Sequence, residues 1–308
     1  MDPNDVEEGV TIALESGYTH FDSNYIAGTE KPMGLAFKKY FEKGNKREEL
    51  YIVARMPLFG NRASDVEEYL KYSLEHLGLD YVDMYMIAEA WGLMRDYSRG
   101  GAHDAFVIYE NGTFGIDPET DLVAVWKALE LQVKKGLTRS IGFANFNETQ
   151  ISKIINNCEI KPSYMLVGEY VYHQEKELRK FCAENDVALS SFTPLGCTPG
   201  METIVMKGYW KLPEPQKNPV IVKIAENHRK TPAQVMLRHQ HQNGIINVIP
   251  GIAKPEQIKA HIDIYDFELS KDEMDQLDNL DRGEEGRILG DYNFPGVFEH
   301  PEYPFPTH

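Results

Sequence analysis

Apolar positions recur along this chain in two exchanging periods. Val6, Val10, Ile12, Ala13 and Leu14 fall largely on one helical face, and the chain then tightens into a short β-rich run over 18–23. The exchange repeats every 30 or so residues. The spacing predicts helices over 5–16, 31–42, 64–77, 121–134, 147–157, 175–184, 220–227, 232–242, 255–262 and 271–280. Between them it predicts strands over 18–23, 50–55, 80–87, 138–142, 164–169, 187–192 and 245–249. In the third strand Val82, Met84 and Met86 alternate with Asp83, Tyr85 and Ile87, the pattern of a half-buried strand. Two helix starts carry local signals: Ser64 followed three residues later by Glu67 reads as a capping box, and Asn147 as an N-cap. Long irregular stretches run over 89–118 and, with five prolines, 194–219.

Strands that alternate with helices mean βα units on a parallel sheet. No Gly-x-Gly-x-x-Gly follows any strand, and seven such units favour an α/β barrel over a doubly wound sheet. No linker or composition shift divides residues 1–308, so one domain is expected.

Composition narrows the picture. With 42% apolar and 26% charged residues the chain is ordinary for a globular protein, and no apolar run reaches the roughly 18 residues of a membrane span. A net charge of −16 argues against nucleic acid and anionic membranes as partners. Cys158, Cys182 and Cys197, without CxxC spacing, suit a reduced cytoplasmic protein and no structural metal. His239 and His241 point to different helix faces, a poor metal pair, and His20 shares a strand face with Asp22, which suits a hydrogen bond. Trp91, Tyr97 and Tyr109 either line an apolar pocket or pack on the rim.

Specific motifs go further. Gly17-Tyr-Thr-His-Phe-Asp22-Ser-Asn-Tyr-Ile-Ala27-Gly-Thr-Glu30 places an aspartate at the carboxyl end of the first strand. Further on come Leu77-Gly-Leu-Asp-Tyr-Val-Asp-Met-Tyr-Met-Ile87, Ser140-Ile-Gly-Phe-Ala-Asn-Phe-Asn147, Pro194-Leu-Gly196 and His300-Pro-Glu-Tyr-Pro-Phe305. Together these resemble the aldo-keto reductases over nearly the whole chain. The resemblance implies a (β/α)8 TIM-type barrel and NADP(H)-dependent carbonyl reduction. It also implies that the N-terminal hairpin and first barrel strand of that family are lacking here, because the first helix opens the chain.

In that family a tyrosine donates the proton, a lysine paired with an aspartate tunes it, and a histidine orients the carbonyl. Carried over by position, these are Ala27, Arg55, Asp22 and Ala88. Asp22 and Arg55 are then remnants, expected to persist as a buried ion pair at the barrel mouth; a neighbouring Tyr25 reads as packing rather than a substitute acid. The positions that hold the dinucleotide fall on Ala144, Asn145, Leu166, Phe192, Leu195, Gly196, Gly251, Ile252, Lys254 and Gln257. Asn145 alone keeps the carboxamide pair, a glutamine has become Leu166, Phe192 stands for a stacking tyrosine, and both cations of the 2′-phosphate clamp are absent. The residues therefore point to a member whose ordinary reduction is lost or severely reduced and whose mouth takes a small apolar ligand or a protein partner. An oxidoreductase with a relocated acid, and a protein using only the fold's stability, are the alternatives.

Overall fold

The computed structural model describes residues 3–96, 105–196, 212–247, 254–288 and 294–305. They form two compact units, Met1–Met165 with Phe294–His308, and Leu166–Asn293.

In the first unit the elements run α1 (Pro3–Glu15), β1 (His20–Asp22), α2 (Glu30–Glu42), β2 (Tyr51–Met56), α3 (Val66–Leu77) and β3 (Val82–Ile87). A short antiparallel pair, β4 (Arg95–Asp96) and β5 (Ala105–Phe106), precedes α4 (Leu122–Lys134), β6 (Thr138–Ala144) and α5 (Glu148–Ile155). The parallel ladder β1–β2–β3–β6 keeps one register: Asp22 lies beside Val53, Arg55 beside Met86 and Met86 beside Gly142. The carboxyl ends of four strands therefore arrive together. β3 departs from its half-buried pattern, since all six of its residues are buried. A parallel strand is covered on both faces, so polar Asp83 must be paired inside. It accepts from the Ile52 amide (2.9 Å) and pairs with Arg47 (2.7 Å) and Arg139 (3.2 Å).

Caps divide the helices. Asn147 accepts from the Gln150 amide at 3.0 Å, as expected, and Asp121 caps α4. Ser64 does not cap α3: the helix starts after Asp65, and the Ser64 hydroxyl is spent on the Asp65 carboxylate at 2.7 Å. Gly34 lets α2 approach α3, for a Cβ there would lie 2.5 Å from the His76 carbonyl.

The second unit begins within β7 (Tyr164–Val167) and continues through α6 (Lys176–Glu184), β8 (Ala188–Ser191), α7 (Pro219–His228), α8 (Pro232–Gln242), β9 (Ile246–Asn247), α9 (Pro255–Ile262) and α10 (Lys271–Asp278). β8 and β9 pair in parallel, Ser190 beside Ile246. The apolar sides of α7 and α8, with Tyr172, Ile264 and Leu277, build its core. Residues 248–249 of the expected last strand lie outside the described residues.

Candidate active site

Asp22 ends β1 and Arg55 sits near the end of β2. Their side chains form an ion pair, with the carboxylate 2% and the guanidinium 15% exposed. The expected hydrogen bond between His20 and Asp22 gives way to this pair. His20 packs its ring on Tyr51 instead, at 5.0 Å, and burial lowers its pKa against the pull of Asp22 and Asp83. Breaking such a buried pair from one side costs about 3–5 kcal/mol.

In the stretches that follow β1 and β3, two positions carry no chemistry. Ala88 follows β3 directly, and Ala27 is exposed in the loop after β1. Tyr25 lies in the same loop as Ala27. Its ring packs at 5.5–6.0 Å against Phe59, Tyr69 and Tyr72, the packing role expected of it.

One chemical group was missed by the sequence reading. Glu89 follows Ala88 and is largely buried. Asn145 Nδ2 donates to Glu89 Oε1 at 2.7 Å, while Asn61 Nδ2 donates to the main-chain carbonyls of Glu89 and Trp91, at 2.8 Å each. Burial pushes the Glu89 carboxyl up to about 8, partly opposed by the Asn145 hydrogen bond and the Arg55 charge. It holds its proton at neutral pH. The available signal was a carboxylate placed among Ala88, Ala90 and Trp91 just past a strand end. Asn145 itself has φ of 56°, a left-handed conformation that asparagine tolerates better than most residues.

A second buried acid lies behind the mouth. Glu30, the first residue of α2, is 2% exposed. Burial raises its carboxyl to about 7 despite a hydrogen bond from Ser23 and the lowering pull of the nearby Ser73 hydroxyl.

The loop after β3 is packing rather than pocket. Trp91, 3% exposed, joins Leu58, Leu93 and Val297, with Phe294 at 5.2 Å from its ring. Tyr109 is half exposed, and Tyr97 lies outside the described residues.

In the second unit the dinucleotide positions are mostly structural. Leu166 is fully buried within β7 and Leu195 belongs to the core. Gly196, at φ 69°, has the Tyr170 ring 2.8 Å from where a Cβ would stand. Phe192 lies just past β8, against Gly168. Lys254 precedes α9 and is exposed, and the Gln257 side chain turns back to accept from the Lys254 amide at 3.0 Å. Gly251 and Ile252 lie outside the described residues, as does Cys197. His239 pairs with Asp278 at 2.7 Å and His241 packs edgewise on Tyr265.

The sequence profile of the Aldo/keto reductase family matches residues 1–282. The chain belongs to this family. Among its relatives, Aldo-keto reductase family 1 member A1 of Bos taurus is 31% identical over 313 residues, covering 99% of this chain and 91% of that protein. Prostaglandin F synthase 1 of Bos taurus is 32% identical over 301 residues, covering 97% and 88%. The structure of the aldose reductase from Schistosoma japonicum superposes with a TM-score of 0.86 at 28% identity, covering all of this chain and 93% of that one. The fold is thus the (β/α)8 barrel of the aldo/keto reductases, a family whose members use NADP(H). Among the described residues no helix is long and apolar enough to cross a membrane, and no group of three His, Cys, Asp or Glu residues is placed to hold a metal ion.

At the dinucleotide positions the described residues offer few polar groups. Asn145 Nδ2 donates to Glu89 while its buried Oδ1 has no protein partner, and an apolar side chain, Leu166, occupies the glutamine position. Lys254 is exposed at the start of α9.

Proposed function

We propose that this chain is an aldo/keto-reductase barrel in which NADPH-dependent carbonyl reduction is lost or severely reduced, and whose strand ends bind a small, largely apolar ligand. The observation that carries the reading is the pair Ala27 and Ala88, with Tyr25 committed to packing. An alanine has neither a proton to give nor a hydrogen bond to offer. A positioned acid contributes about 10²–10⁴-fold and an oxyanion donor a similar factor. Arg55 retains the charge of the lysine position. Two absent clamp cations, each worth about 1.5–3 kcal/mol as charged hydrogen bonds, weaken dinucleotide affinity further.

One observation favours a second reading, a reductase with a relocated acid: Glu89 carries a proton at neutral pH close enough to Arg55 to feel its charge. The two readings part on one measurement. NADPH and NADH are titrated into the pure protein by tryptophan fluorescence and thermal shift, and turnover of 4-nitrobenzaldehyde is followed. Weak or absent dinucleotide binding and no turnover are expected. Micromolar binding with turnover would overturn the loss of reduction. The triple change Ala27→Tyr, Arg55→Lys and Ala88→His restores the four groups of the reaction, yet is expected to stay inactive because the dinucleotide contacts remain unmade.

A further inference from the structure

The imidazole of His173 is buried in the second unit, with an oxygen against each of its nitrogens. Nδ1 lies 2.8 Å from the Gly283 carbonyl and Nε2 lies 2.8 Å from Glu175 Oε1. A carbonyl can only accept, and so can an ionised carboxylate. Although burial pushes Glu175 up, the His173 hydrogen bond and the Arg287 charge keep it ionised. Both contacts therefore need an N–H, and only the imidazolium has two. A neutral ring, in either tautomer, turns a nitrogen lone pair on one of the two oxygens.

These two bonds join a strained turn to a tightly apposed one. The backbone from Tyr170 to His173 is closed by reciprocal bonds of 2.8 and 3.0 Å. Glu175 then takes φ of 41°, a left-handed conformation that is costly for a residue with a Cβ. Its carboxylate is shared with Arg287 at 3.0 Å, and Arg287 grips Glu284 through two bonds of 2.7 Å. Opposite, the short 3-10 helix Gly283–Gly286 comes so near that a Cβ at Gly286 would lie 2.0 Å from the Tyr172 carbonyl. The Arg282 amide donates to that same carbonyl at 2.8 Å. We propose that His173 is a pH-sensitive clasp: as the imidazolium it pins the turn 281–287 to the chain entering α6, and on losing a proton it lets that turn open.

Other charged groups surround the clasp. Asp281 accepts from the Gln174 amide at 3.3 Å and pairs with Lys176 of α6 at 3.3 Å. Glu169 lies 3.6 Å from Arg179 of α6, and Asp278 of α10 pairs with His239 of α8. Glu169 and His239 also titrate, so each is removed as a control.

Two measurements on the full chain are made between about pH 6 and 9, a range that covers the histidine titration. In protein carrying ¹⁵N-labelled histidine, the ring nitrogen shifts report which nitrogens hold a proton, and His173→Asn assigns the His173 signals. Limited trypsin digestion reports opening of the turn, because Arg282 is exposed but its amide is held. Cleavage after Arg282 is normalised at each pH to cleavage of a short arginine peptide, and so follows the open population. It is expected to rise about 10- to 100-fold as the His173 ring loses its second proton, the span of one buried charged hydrogen bond. His173→Asn has no ring to ionise and should cleave at the wild type's alkaline level throughout, without the slope. Glu169→Gln and His239→Gln should keep the slope. A His173 ring already neutral at the acid end, wild-type cleavage that is flat with pH, or the same slope in His173→Asn would overturn the assignment. The wild-type titration and cleavage profile decide even if a variant fails to fold.

Discussion

The strand ends of the first unit and the helix–loop layer of the second treat ionisable groups in opposite ways. In the first, carboxylates and a guanidinium stand at the strand ends: Asp22 on Arg55, Glu89 on Asn145. In the second, Glu169, two residues past β7, is likewise buried and pushed up by desolvation, while other buried charges stand in the helix–loop layer. There His173 Nε2 meets Glu175 at 2.8 Å, and Arg287 holds Glu175 at 3.0 Å and Glu284 at 2.7 Å. Although burial pushes Glu175 up, the hydrogen bond to His173 and the charge of Arg287 carry it below the usual range, so it stays ionised. Glu89, with only an amide bonded to its carboxyl, stays protonated. A charge surrounded by counter-charges is scaffold; a buried acid without a full counter-charge keeps a proton it can lend.

The comparison can be broken at its ion pairs, where the largest effects are expected. Asp22→Ala leaves the buried guanidinium of Arg55 without its carboxylate, and Arg287→Ala leaves Glu175 with His173 but without its guanidinium. Each should lower unfolding free energy by about 3–5 kcal/mol in urea titrations. If only the second variant is destabilised, the mouth pair is not structural. A next pair tests packing. A Cβ at Gly286 would lie 2.0 Å from the Tyr172 carbonyl, and one at Gly34 2.5 Å from the His76 carbonyl. Gly286→Ala and Gly34→Ala should each cost about 1–3 kcal/mol, because backbone cannot yield as a side-chain tip can.

Acid titration sharpens the contrast further. Glu89 and Glu30 have folded pKa values near 8 and 7, above the ordinary 4.5, so the folded state binds the extra proton. Their contribution to stability is fully present below about pH 4.5 and is lost as pH rises through 7 to 8. Glu175 runs the other way: its folded pKa is depressed, so its contribution is present above the ordinary value and lost in acid. Melting temperature followed from pH 4 to 9 should decline on the alkaline side less steeply in Glu89→Gln than in wild type. The smallest effects concern caps. Asn147→Ala should cost about 1 kcal/mol, whereas Ser64→Ala, which removes no bond to the helix amides, should cost a few tenths at most.

Much of this protein was legible in its residues. The exchange of helical and strand periods located the elements to within a few positions, because burial of one helix face and of strand side chains imposes those periods on any sequence that folds this way. The remnants Asp22 and Arg55 and the empty positions Ala27 and Ala88 could be read by spacing from a motif, since residue identity alone states which chemical groups are absent. Three features needed the folded chain. β3 looked half-exposed until both faces were seen to be covered. Ser64 looked like a cap until the helix was seen to begin after Asp65. The proton on Glu89 depends on desolvation, and desolvation is a property of what surrounds a carboxyl in space. Asn145 and Arg55, which tune it, lie 56 and 34 residues away along the chain. Sequence sets which groups exist and the order in which the backbone presents them; only tertiary structure decides which are taken out of water together, and so which of them hold a proton at neutral pH.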